Sequence, residues 1–96
     1  MVRPLKRRLV RFNPLVTYFK PRAVPISILE EVDLSVDELE SLRFCDLKNL
    51  DQVEAAKKMK ISQSTLQRIL SSAHQKVADA LIKGKAIRIN KINGEK

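Results

Sequence analysis

The chain has 96 residues, 44 % of them hydrophobic, with four aromatics, no Trp, one Cys and a formal net charge of +8. That length allows one domain with a small core, and a single cysteine excludes an intramolecular disulfide and a cysteine-based metal site. No apolar run is long enough to span a membrane and the basic start is unlike a secretory signal, so a cytoplasmic protein without a membrane partner is expected.

The charge is segregated along the chain. Residues 1–29 carry seven Lys or Arg and no acid, residues 30–59 nine acids against four bases, and residues 60–96 eight bases against two acids. A basic–acidic–basic order favours a polyanionic partner reached by both ends of the chain. Three segments follow: a basic, proline-containing arm at 1–33, a helical domain at 34–84 and a basic tail at 85–96.

Met1 to Arg11 holds Arg3, Lys6, Arg7, Arg8 and Arg11, and with Pro4 and Pro14 nearby it is expected to be extended. It reads as an arm for a phosphate backbone or minor groove, or as a plain terminus that orders on binding. From Leu15 to Ile28, Val16, Tyr18, Phe19, Val24, Ile26 and Ile28 alternate with Pro21 and Pro25, and Leu15–Phe19 is compatible with a short strand. Phe12, Tyr18 and Phe19 are expected to pack on the helices more than to stack on exposed bases.

Ser35 opens the first predicted helix, with Glu38 completing a capping box and Asp37 in the positively polarised first turn. Val36, Leu39, Leu42, Leu47 and Leu50 form its expected buried side. Arg43 lies beside that arc as a structural anchor, with Asp46 one turn on as its expected partner. Phe44 projects away from the arc, towards the N-terminal segment or a second subunit. Cys45 reads as a small buried hydrophobe.

Asp51 caps a second helix, with Glu54 placed for a capping box, and Val53, Ala56 and Met59 give it one apolar side. Lys60 and Ile61 break the pattern, and Ser62 caps a third helix running from Gln63 to about Lys83, where Gly84 supplies a stop. Leu66, Ile69, Leu70, Ala73, Val77, Ala80 and Leu81 recur at spacings of three and four. Ala56 falls where the two helices cross, with Ile61 and Leu66 filling the wedge. Two helices joined by a turn of three or four residues, the second polar at its exposed start, match a helix-turn-helix. The competing reading is a solvated helical hairpin. The second half of the long helix exceeds what the hairpin covers, so either the N-terminal segment lies across it or it pairs with a copy of itself, as a homodimer on a twofold site would. Ala86–Ile92, AIRINKI, carries a weak strand alternation that could pair with the segment near Leu15.

The stretches RRLVRFNP, YFKPRAVP, LSVDELESLRFCDL, EAAKKMKISQSTLQRIL and KVADALIKGKAIRI together resemble the UPF0251 (DUF134) family of small prokaryotic proteins. The resemblance spans nearly the whole chain. It implies a helix-turn-helix similar to the fourth region of bacterial sigma factors, in proteins described as candidates for DNA binding. The chain departs from the family pattern twice. Lys60 stands where the family's turn usually has Gly, at a cost of about 1 kcal/mol if the residue is left-handed. Gln63 stands where Arg commonly follows the capping serine, which removes one phosphate or guanine contact and shifts preference towards adenine.

The expected fold is thus all-α, a three-helix core with an extended basic arm and a short C-terminal strand as an option. The expected function is sequence-specific binding of double-stranded DNA, as a transcriptional regulator. Ser62, Gln63, Ser64, Gln67, Arg68 and Ser71 are the candidate base and phosphate contacts, and Lys76 adds backbone affinity with the arm. The alternatives are a sigma-like module that contacts RNA polymerase, and a binder of RNA or single strands. No catalytic residue, metal or cofactor is expected, because His74 has no acid or cysteine spaced to assist it.

Overall fold

The computed structural model describes residues 14–90. In chain order these form β1 (Tyr18–Phe19), β2 (Glu31–Ser35), α1 (Val36–Leu42), α2 (Gln52–Met59), α3 (Gln63–Lys83) and β3 (Ala86–Asn90). A 3-10 turn at Ile26–Ile28 precedes β2, and a π-turn at Arg43–Leu47 follows α1. The strands make one sheet in the order β1-β3-β2, with β1 antiparallel and β2 parallel to β3. The fold is therefore mixed α/β, and the all-α expectation is corrected. The missed element is β2, whose alternation of Glu31, Val32, Asp33 and Leu34 falls across the boundary between the supposed arm and the helical domain. Once β2 is present, β3 is no longer a lone marginal strand but the centre of three.

The parallel register sets Val32 level with Ile87 and Leu34 with Ile89. Leu34, Ile89 and Ala73 of α3 form one buried cluster, with Leu39, Leu42 and Ile87 packed against it. The opposite face of the sheet is polar. There Arg88 Nε donates to Asp33 Oδ1 at 3.0 Å, and the Tyr18 hydroxyl donates to Glu31 Oε2 at 2.6 Å. The β1–β3 pairing is the one expected near Leu15, made within one chain, although only Tyr18 and Phe19 form the strand and Leu15 and Val16 remain exposed. Strands β2 and β3 also supply the cover that the second half of α3 requires, from the same chain. Phe19 is half exposed, so the aromatic segment contributes less to the core than expected, and Phe12 lies outside the described residues.

A second cluster joins Phe44, Ala55, Ala56, Met59 and Leu66, with Cys45, Leu50 and Ile61 around it. Ala56, Ile61 and Leu66 thus occupy the helix crossing as the spacing predicts. Phe44 does not project outward as expected. The π-turn, with Lys48 N–H bonded to Arg43 C=O at 3.0 Å, takes an extra residue per turn, so positions after Leu42 rotate off the α-helical wheel. Phe44 moves into the core and Leu47, expected to be buried, is 75 % exposed. The same shift separates Arg43 from Asp46. Arg43 instead lies 3.8 Å from Glu40 and over the Phe44 ring, and Asp46 meets His74. Val53 and Leu81 also prove exposed, with Ala55 taking the buried place on α2.

Candidate nucleic-acid interface

Each helix end around the α2–α3 turn is fixed by a local bond that the sequence specifies. Asp51 Oδ1 accepts from Glu54 N–H at 2.9 Å, the half of the expected capping box that starts α2. At the other end Lys60 is left-handed, with φ 61 and ψ 43. Its N–H bonds Lys57 C=O at 3.1 Å, and Ile61 N–H bonds Ala56 C=O at 3.1 Å. These two bonds are the Schellman arrangement, and the Ile61 side chain packs into the cluster that holds Ala56. The turn therefore keeps the geometry that glycine suits, with a lysine in it.

Ser62 then caps α3, its Oγ accepting from Thr65 N–H at 3.1 Å. The same hydroxyl meets Thr65 Oγ1 at 2.8 Å and Ser64 Oγ at 3.3 Å. Of the candidate contacts, Ser62 and Ser64 thus hold one another at the helix start, while Gln63, Gln67, Arg68 and Ser71 are exposed. At about 100° per residue, Ser64, Gln67, Arg68, Ser71 and Gln75 share one arc, opposite buried Leu66, Leu70 and Ala73. The helix presents two polar turns outward while its other side is anchored.

Lys76 is placed differently. Its Nζ donates to Glu38 Oε1 at 2.9 Å, and Glu38 also accepts from Ser72 Oγ at 2.6 Å and from Ser35 N–H at 2.9 Å. Burial pushes the Glu38 carboxyl towards protonation, but the bonds from Ser72, Ser35 and Lys76 outweigh it and hold its pKa below the ordinary value. Lys76 is a tie between α3 and α1. Arg3, Lys6, Arg7, Arg8 and Arg11 lie outside the described residues.

The fold also pairs groups that are distant in sequence. His74 Nε2 lies 2.6 Å from Asp46 Oδ2, so an acid does reach this histidine, from 28 residues away. Burial, then the charges of Asp46 and Asp51, push the Cys45 thiol up, away from the thiolate that nucleophilic chemistry needs. Lys57, Lys58 and Lys60 stand exposed at the end of α2 and in the turn. The run KKMK that carries them is the sequence signal for this exposed charge, and it lies outside the residues expected at the site. Among the described residues no group of His, Cys, Asp and Glu is placed to hold a metal, and no helix is long and apolar enough to cross a membrane.

The described residues define a small mixed α/β protein in which α1 and α3 pack on one face of a sheet, α2 packs on α3, and one helix start is left polar and open. Its family is recognisable from the sequence: residues 1–95 match the model described as "Protein of unknown function DUF134", and the chain belongs to that family. It is 54 % identical to a UPF0251 protein of Caldanaerobacter subterraneus, over 99 % of this chain and 84 % of that one. A UPF0251 protein of Thermoanaerobacter pseudethanolicus is 57 % identical, over 93 % of this chain and 75 % of its own. One from Dehalococcoides mccartyi is 55 % identical, over 93 % and 76 %. No solved structure matches the chain.

Proposed function

We propose that α2, the turn and α3 act as a helix-turn-helix similar to that of sigma-factor region 4, and that the protein binds double-stranded DNA sequence-specifically as a transcriptional regulator. The observation that carries this is the outward arc of Gln67, Arg68 and Ser71 on a helix whose opposite side is locked by Leu66, Leu70 and Ala73. Amide and guanidinium groups on a rigid helix start suit base edges in a major groove, where Gln reads adenine and Arg reads guanine. Gln63 and Ser64 stand at the tip, where base edges and phosphates are both within reach. The basic arm adds backbone affinity without sequence information.

The test is selection of bound sites from random duplex DNA with the full chain, followed by Arg68→Ala and Gln67→Ala on the selected site. Each should cost about 1–3 kcal/mol of discrimination while the melting temperature holds, since both side chains are exposed. Unchanged binding by both variants would overturn the assignment of α3. Competition by single strands or structured RNA that matched the duplex would favour a different nucleic acid.

A further inference from the structure

We infer that Lys57, Lys58 and Lys60 form a phosphate-binding cluster that grips the DNA backbone beside the start of α3. The inference rests on the DNA-binding reading above and adds contacts that the recognition-helix pattern does not supply.

The first observation is where the cations are paired. Lys76 bonds Glu38, Lys83 and Lys85 both reach Asp79, and Arg88 bonds Asp33. The cations on the second half of α3 and on β3 are thus neutralised within the fold. At the α2–α3 turn the pattern reverses. Among the described residues Lys57, Lys58, Lys60 and Arg68 are exposed and none has a carboxylate partner. Lys20 and Arg22 are also exposed without a carboxylate partner, but the four open cations within twelve positions (57 to 68) are the larger group and flank the polar start of α3.

The second observation is the backbone of Lys60. Its φ of 61 places it in the region that glycine enters freely and a residue with a Cβ enters at a cost. The two Schellman bonds leave no room to relax out of it. A strained residue that is also exposed and charged, next to a binding surface, is where strain and function coincide. The attraction of cations to a helix C-terminus suits Lys57 and Lys58 in the last turn of α2 and Lys60 at its cap, but it does not require the left-handed cap residue to be a lysine when glycine enters that conformation freely.

Lysine also sets the kind of contact. An ammonium on a flexible stem is a point charge without the planar fork that reads a base edge, so the cluster serves affinity and salt dependence, not sequence choice.

The experiment measures binding of the full chain to its selected duplex and to an unrelated duplex of equal length, across a salt series. The proteins are wild type, Lys60→Gly, the triple variant Lys57→Gln/Lys58→Gln/Lys60→Gln, and Arg68→Ala. Each lysine removed should weaken binding about fivefold at 0.15 M salt and make the slope of log K against log salt shallower by about 0.9. The loss should be equal on the two duplexes. Lys60→Gly should at the same time raise the melting temperature, so stability and affinity move in opposite directions. If wild type binds, Arg68→Ala weakens binding, and both lysine variants match wild type in affinity and slope, the cluster is refuted while the recognition helix stands. If wild type binds no duplex, the DNA reading fails and this inference with it.

Discussion

Glu38 carries a nearly buried carboxylate between α1 and α3, and its removal is expected to cost the fold about 3 kcal/mol. The magnitude follows from three partners. Oε1 accepts from Ser35 N–H and Lys76 Nζ, and Oε2 accepts from Ser72 Oγ. In Glu38→Ala the Ser35 N–H and the Ser72 hydroxyl lose a charged acceptor in a sheltered place, at about 1.5 kcal/mol each. Lys76 is 37 % exposed and turns to water, so its loss adds little. For a domain of this size that corresponds to a fall of roughly 12–24 °C in melting temperature. The pH dependence gives an independent check. Because the folded pKa is depressed, Glu38 contributes stability that is fully present above its ordinary value of 4.5 and is lost as pH falls through the folded value. Glu38→Gln should therefore trail wild type most at neutral pH, and the gap should close from about pH 4.5 downward. Urea unfolding followed by circular dichroism at pH 7 and about pH 3 measures both. A gap that is the same at the two values, or a cost for Glu38→Ala below about 1 kcal/mol, would refute the reasoning.

Leu66→Ala removes the largest fully buried apolar side chain, and about 3–4 kcal/mol should be lost in urea unfolding, much of what a small domain has. Ser62→Ala deletes the cap of α3 and should cost about 1 kcal/mol, with faster amide hydrogen exchange confined to the first turn of that helix. Gly84→Ala meets nothing within 4 Å, so its expected cost of about 1 kcal/mol in thermal unfolding is backbone strain alone. Lys60→Gly is the reverse change at the matching cap of α2, and a gain of a few tenths to 1 kcal/mol is expected.

The helices were legible in the sequence because their ends are chemical. Ser35 with Glu38, Asp51 with Glu54, Ser62 with Thr65, and Gly84 each fix a terminus through a bond made within four residues. Lys60 was legible as an anomaly through the family resemblance, which sets glycine in that turn, and its left-handed backbone is that of the glycine it replaces. The sheet was legible only in part: β1, β3 and their pairing were expected, but β2 was not, because β2 and β3 are joined in register only through 50 intervening residues and β2 alone carries a short, mixed pattern. The π-turn was illegible too. Nothing in RFCDL announces a wider helix, and one extra residue was enough to exchange the places of Phe44 and Leu47. At the candidate site the exposed arc followed from periodicity. The commitment of Lys76 to Glu38, 38 positions away, needed the fold.

These two kinds of information meet along α3. Its later turns are held by distant partners, Ser72 and Lys76 by Glu38 and Ala73 by Leu34 and Ile89, with a local tie from Lys85 to Asp79. Its first two turns are held by Ser62 and by one buried stripe, and their polar groups face outward. A single helix of 21 residues is thus a beam fixed at one end and offered at the other. Fixing the far end on a sheet and on α1 is what lets the near end stay polar. The helix start does not need to bury its own outer face, because orientation is secured elsewhere. For the same reason substitutions at Glu38 or Ala73 should act on stability first, while those at Gln67, Arg68 and the turn lysines should act on binding first. The two sets share the helix but not the same partners, so their effects should add and not couple. A double variant combining Glu38→Gln with Arg68→Ala tests this: stability should fall as in Glu38→Gln alone, and affinity, measured well below the melting temperature, as in Arg68→Ala alone. A coupling above about 0.5 kcal/mol in either quantity would mean that the anchored and offered halves of α3 are not independent.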